Sequence, residues 1–255
     1  MNTEKIKLPH GYTATIATDD CPENPFEAWD CEPPIAVLNL DRHRCTLENY
    51  KGDELNLGTI LAHVPTDKWN TRAGKREIMA ALPFPMADLK EEIRDMRNFR
   101  DAIENMVHNL SPYGWNGWVE YFDAMEALAA VAGIPCHLTQ SNGYSQGDCA
   151  LVFTAALPSW VARTGAPEST HARQCKNAAD LWSAWAWGDV YGVQAITDAD
   201  GTEMEDASCW GFYGDNHETN GLLDHCRDTV AADIEARAKE AVESHAATCR
   251  DIITA

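Results

Sequence analysis

The sequence predicts an α+β fold: an antiparallel sheet, a helical pair inserted after the first strands, and a long C-terminal amphipathic helix. Three observations carry this. Short alternating or apolar runs bounded by turn residues recur toward both ends. Apolar residues alternate four and three apart from Met86 to Leu110. A helical periodicity runs from about Gly221 to Ile253.

Tyr12 to Thr18 alternates small residues with larger ones, and Ile35 to Leu40 is an apolar run behind Pro33 and Pro34; both read as strands. The cluster from Asp19 to Pro25 between them is a turn, so residues 1 to about 65 read as a β-rich opening with long connections. One helix is predicted from Met86 to Leu110, introduced by Pro83 and Pro85 and stopped by Ser111-Pro112. Its seam of Leu89, Ile93, Met96, Phe99, Ile103, Met106 and Leu110 suits packing on a second helix, Trp118 to Val131, or a homodimer through residues 89–110. Lys90, Arg94 and Arg97 form a basic stripe interleaved with Glu91, Glu92 and Asp95.

Beyond Gly133, Ile134 to Thr139 and Cys149 to Ala155 read as strands joined by the turn-rich segment Ser141 to Asp148. Asn177 to Trp187 reads as a short helix carrying Trp182, Trp185 and Trp187. Asp189 to Thr197 and Glu203 to Phe212 flank an Asp198-Ala199-Asp200-Gly201 turn as a second hairpin. The last helix has an apolar line through Leu223, Cys226, Val230, Ile234, Ala238, Ala241, His245, Cys249 and Ile252. Opposite it stand Asp224, Asp228, Asp233, Glu235, Glu240 and Glu243. The expectation is a single α+β domain over 1–255, with 83–133 as a helical insertion or subdomain.

Charge is the strongest functional signal. The net charge is −20, and residues 198 to 251 hold 14 acids against 4 bases, half of that total. Residues 67 to 104 are neutral, with eight of each sign. Such unevenness speaks of partners and solubility, and it disfavours direct nucleic-acid binding, which requires Lys and Arg against phosphate. It allows carboxylates to occupy another protein's DNA-binding groove. No run of eighteen apolar residues and no signal-like start is present, so a cytoplasmic protein with no membrane contact is expected. Nine scattered cysteines without a C-x-x-C pair read as reduced thiols.

Catalytic patterns are weak. Gly143-Tyr144-Ser145-Gln146-Gly147 fits G-x-S-x-G, which would make Ser145 a hydrolase nucleophile if the segment ran from strand through turn into helix. The residues that follow look like a strand instead, so Ser145 stands as the enzyme alternative. Cys209, Asp215, His217, Glu218, His225 and Cys226 crowd together in sequence without C-x-x-C or H-E-x-x-H spacing, and no metal is expected. Neither dinucleotide nor P-loop glycine motifs occur, so no cofactor is expected either. Among the aromatic clusters, Trp210, Phe212 and Tyr213 are the candidates for exposure, bordering glycines before an acidic turn.

Three segments carry a resemblance: Asp20 to Pro25 with Trp29-Asp30 behind it, Gly188-Asp189-Val190-Tyr191-Gly192, and Ser208-Cys209-Trp210-Gly211-Phe212-Tyr213-Gly214. They resemble parts of small acidic proteins carried by phages and plasmids, and Gly143 to Asp148 is similar to another piece of such proteins. The resemblance covers about a third of the chain. It implies a mobile-element origin more than an activity; because such elements often encode antagonists of restriction or CRISPR systems, an anti-restriction or anti-CRISPR role on a host defence or DNA-binding protein follows by association. The contact residues expected on this reading are Asp224, Asp228, Asp233, Glu235, Glu240 and Glu243, with Trp210 and Tyr213 as aromatic anchors.

Overall fold

The computed structural model describes residues 3–28, 32–41, 44–50, 55–95, 98–110, 114–142 and 149–254. In chain order the elements are β1 (Thr3–Lys7), β2 (Thr13–Thr18), α1 (Pro25–Ala28), β3 (Ile35–Asp41), β4 (Arg44–Tyr50), α2 (Leu57–His63) and α3 (Thr66–Asn70). There follow α4 (Arg72–Ala81), α5 (Met86–Asp95), α6 (Phe99–His108), α7 (Gly114–Ala132), β5 (Cys136–Asn142), β6 (Cys149–Ala155) and α8 (Pro158–Thr164). The last are α9 (His171–Trp187), β7 (Val190–Thr197), β8 (Cys209–Tyr213) and α10 (Leu222–Thr254).

The fold is α+β, as expected, with two antiparallel sheets where the sequence suggested one. Contacts gather the chain into two compact units, 1–23 with 184–255, and 24–183.

In the first unit the strand order is β1-β2-β7-β8. The register fixes which side chains share a face: Ile16 pairs with Val193, Ala14 with Ile196, and Tyr191 with Phe212. These line the face on which α10 lays Leu223, Cys226 and Val230. β1 is an edge strand whose Glu4, Lys5 and Lys7 discourage further pairing. The expected strand Glu203 to Phe212 is shortened to β8. A single bridge, Thr197 to Glu203, continues the hairpin, and the chain then turns at Asp206, whose φ of 57° breaks extended structure.

In the second unit the order is β4-β3-β6-β5. β3 is an inner strand, apolar and buried on both faces from Ile35 to Leu38, with Ile35, Val37 and Leu38 at 0% exposure, which explains why that stretch reads as a continuous run. The helices α2 to α7 bury Ile60, Ile78, Ile103, Phe122 and Met125 with Phe153 of β6. The helical run α2 to α7 therefore begins at Leu57, within the opening expected to be β-rich, and well before 83.

The single helix expected over Met86 to Leu110 is two. Asn98 caps α6 by accepting the Arg100 N–H at 3.0 Å, and it donates to Asp101 at 3.2 Å; a cap of this kind starts a new helix. Phe99 and Ile103 of the expected dimer seam are buried in the unit's own core, with Ile93, Met106 and Leu110 packed against it. Much of the seam is thus covered inside the chain. α9 starts at His171, six residues before the expected Asn177.

Candidate partner-binding surface

α10 begins where Asn220 accepts the Leu222 N–H at 3.0 Å, a local turn that frees the chain to enter the helix. Its apolar line is covered only at the start. Leu223, Cys226 and Val230 are buried and Ile234 packs partly, whereas every residue from Glu235 to Ala246 is exposed. A helix that leaves its core after three turns displays the remainder of its surface to solvent.

The six acids expected on this helix differ in what holds them. Asp233 is half-buried: its carboxylate accepts the Tyr12 hydroxyl at 2.7 Å and the Arg237 Nε–H at 2.8 Å. Arg237 also donates to Asp198 at 3.0 Å. The Asp198 carboxyl accepts the Thr202 and Asp200 N–H groups as well, and these bonds, Thr202 first, hold it below the ordinary carboxylate range. The Tyr12 phenol is pushed above its ordinary value, first by its bond to Asp233 and then by burial. Asp233 is therefore occupied in joining α10 to Tyr12, the residue before β2, and through Arg237 to the β7–β8 loop. Asp224 binds Arg227 at 3.0 Å, and Arg227 also binds Glu218.

Asp228, Glu235, Glu240 and Glu243 are exposed and make no ion pair among the described residues. Around a helix of 3.6 residues per turn, Asp224, Asp228 and Glu235 fall within about 40° of one another, while Asp233 and Glu240 lie roughly 120 to 180° away. The acids form two rows rather than one. Sequence reasoning missed the β7–β8 loop as part of this surface. Asp200, Glu203, Glu205 and Asp206 are all exposed there, and the Asp198–Arg237 pair ties the loop to α10. A run of acids beside the Asp198 turn was visible in the sequence. That it borders the helix was not.

Trp210 and Tyr213 belong to the other face of the sheet. Gly211, with φ +89°, takes up an extra residue between Tyr191–Phe212 and Gly192–Trp210, so Trp210 and Phe212 face opposite ways. The Trp210 ring lies on Gly192, where a Cβ would meet it at 2.2 Å, and its indole N–H donates to Ser208 at 3.2 Å. Trp210 stays 41% exposed. Tyr213 is half-buried and donates its hydroxyl to the Glu23 carbonyl at 2.9 Å. The two aromatic anchors are thus placed together, but the sheet separates them from the α10 acids.

Among the described residues no group of three or more His, Cys, Asp or Glu converges to hold a metal ion. His217 instead meets Tyr191 edge-on at 4.7 Å, and His225 packs against Phe212 at 5.7 Å. Cys226 is buried, and burial pushes its thiol up to about 11. Ser145 lies outside the described residues. Its flanking segments are β5 and β6, paired antiparallel with Asn142 opposite Cys149, so the segment joins strand to strand and not strand to helix. Among the described residues no helix is long and apolar enough to cross a membrane.

No protein-family model matches the chain, and comparisons with curated proteins and with solved structures found no match.

Proposed function

We propose that the protein is a non-enzymatic antagonist that binds a basic, nucleic-acid-handling host protein through the acidic surface of α10 and the β7–β8 loop. The observation that carries this reading is the set of exposed, uncompensated carboxylates at Asp228, Glu235, Glu240 and Glu243, on a helix whose described residues from 235 to 246 are all exposed. The unit that holds them has 19 acids against 6 bases, a net −13 of the chain's −20. Fields of this size steer association with a basic partner and set its salt dependence. The resemblance of the Gly188 to Gly192 and Ser208 to Gly214 segments to phage and plasmid proteins adds the setting, a host-cell cytoplasm and a defence protein as target.

Magnitudes decide the form of the contact. Asp228 to Glu243 spans about 22 Å of helix, over which duplex DNA would carry about 13 charges. α10 offers four. The surface therefore works by attraction and steering, not by copying phosphates one for one. Tagged protein would be used to capture partners from bacterial lysate. A DNA-binding protein displaced by duplex DNA, and lost when Asp228, Glu235, Glu240 and Glu243 are all changed to Lys, is expected. Capture that survives both the substitutions and the DNA rejects the reading.

A further inference from the structure

α4 carries an arrangement at odds with the composition of the chain. Arg72, Lys75, Arg76 and Met79 stand at i, i+3, i+4 and i+7, one face of a single helix. With Lys90 of α5 and Asn70 they line an open groove of about 770 Å³. In a protein with 40 acids and 20 bases, a groove whose lining among the described residues holds four bases and no acid is a marked local inversion. The described residues show no ion pair for Arg72, Lys75, Arg76 or Lys90. Glu77, the acid of α4, is tied to Lys68 instead. Lys75 rests its ammonium 5.3 Å from the centre of the Phe99 ring, which fixes it at the groove wall. Like charges at i and i+4, such as Arg72 and Arg76, cost a helix stability rather than adding to it.

We infer that this groove binds a phosphate-bearing small molecule of nucleotide size. Arginine forks match phosphate oxygens in pairs, and lysine supplies a compact charge beside them. A di- or triphosphate carries about −3 to −4, close to the four cations present. Met79 gives an apolar wall for the organic part, and the volume lies within the range of small-molecule pockets, about 300 to 1,000 Å³. A long nucleic acid is disfavoured, because its strand would run past these four cations over a unit with 21 acids against 14 bases, where phosphate finds few partners. Recognition is by side chains, so the missing glycine-rich phosphate loop is no obstacle.

The test is calorimetric titration of the full chain with ATP in EDTA, with inorganic pyrophosphate, and with a short single-stranded oligonucleotide. One ATP or pyrophosphate is expected per chain. Affinity should fall about tenfold or more in Arg72→Glu/Arg76→Glu and in Lys75→Met, and stay unchanged in the control Lys239→Glu, whose site is on α10. Far-UV circular dichroism of each variant shows that the fold is kept. ATP and pyrophosphate both failing to bind, equal affinity in the groove variants, or tighter binding of the oligonucleotide would each overturn the inference.

Discussion

Gly192→Ala is expected to destabilise the protein or to stabilise it according to what stands at position 210. An added Cβ would come within 2.2 to 2.3 Å of Trp210 Cε3 and Cδ2, closer than any real contact, so the ring must lift off β7. Trp210 is 41% exposed. Burying a whole Trp covers about 150 to 250 Å², so the covered part is on the order of 120 Å², or ~3 kcal/mol. A partial lift forfeits about half of that or more. Against this, Gly192 has an ordinary negative-φ backbone, where Ala stabilises by about 0.5 to 1 kcal/mol. The net expectation is a loss of about 1 to 2 kcal/mol in the wild-type background. In Trp210→Ala the obstacle is gone, and the same change should stabilise by about 0.5 to 1 kcal/mol. Urea unfolding of the four proteins, followed by far-UV circular dichroism, closes the double-mutant cycle. A coupling energy under about 0.5 kcal/mol would refute the contact, and with it the pairing of Trp210 with Gly192.

Gly74→Ala should lower the free energy of unfolding by about 1 to 3 kcal/mol, because its Cβ would sit 2.3 to 2.7 Å from Lys68 backbone atoms that cannot swing aside; helix propensity alone predicts a gain, so a higher urea midpoint would refute the packing of α3 on α4. Asp198 has a depressed folded pKa, so it contributes stability above its unfolded value near 4, and that contribution disappears as pH falls through the folded value. The stability gap between wild type and Asp198→Asn should accordingly be present at pH 7 and shrink on acidification below about pH 4; a gap that widens there contradicts the network. Burial pushes the Cys136 thiol up to about 12 and the Cys175 and Cys226 thiols to about 11. Native protein treated with iodoacetamide at pH 8 should be labelled at exposed Cys21 and spared at these three until it is denatured, read by peptide mass spectrometry; early labelling of Cys175 would show that its site opens.

What could be read from the sequence depended on whether a signal was local. β3 and β6 were legible because both are apolar runs buried in one sheet, and β7 because its run begins beside a glycine. β1 was not, since Thr3 to Lys7 offers one apolar residue, Ile6, on an edge. The break between α5 and α6 had a local signal that the heptad pattern overrode: Asn98 followed three residues later by Asp101 is a helix start. The α4 cations were equally visible at i, i+3 and i+4. A balanced count over 67 to 104 concealed them, because eight acids cancel eight bases in number and not in position. Of Trp210, Phe212 and Tyr213, all expected to be exposed, Trp210 is and the other two are half-buried, because an extra residue at Gly211 decides which face each takes and only the pairing register reveals it.

Asp233 and Glu235 show why counting charge overstates a surface. They are two residues apart on one helix, chemically near-identical, and turned roughly 160° from each other about the axis. Asp233 faces Tyr12, 221 residues away in sequence, and spends its lone pairs on a phenol and a guanidinium. Glu235 faces solvent with nothing to hold. No periodicity read along the chain separates the two, because the distinction is made by Tyr12 at the entry to β2. Asp198 and Asp233 share Arg237, and Asp224 and Glu218 share Arg227, so four acids are drawn out of the display by two arginines. Those pairings hold the loop and the helix in register. Of the carboxylates left over, Asp228 and Glu235 stand on the stretch of helix that these pairings hold, and Glu240 and Glu243 lie beyond it.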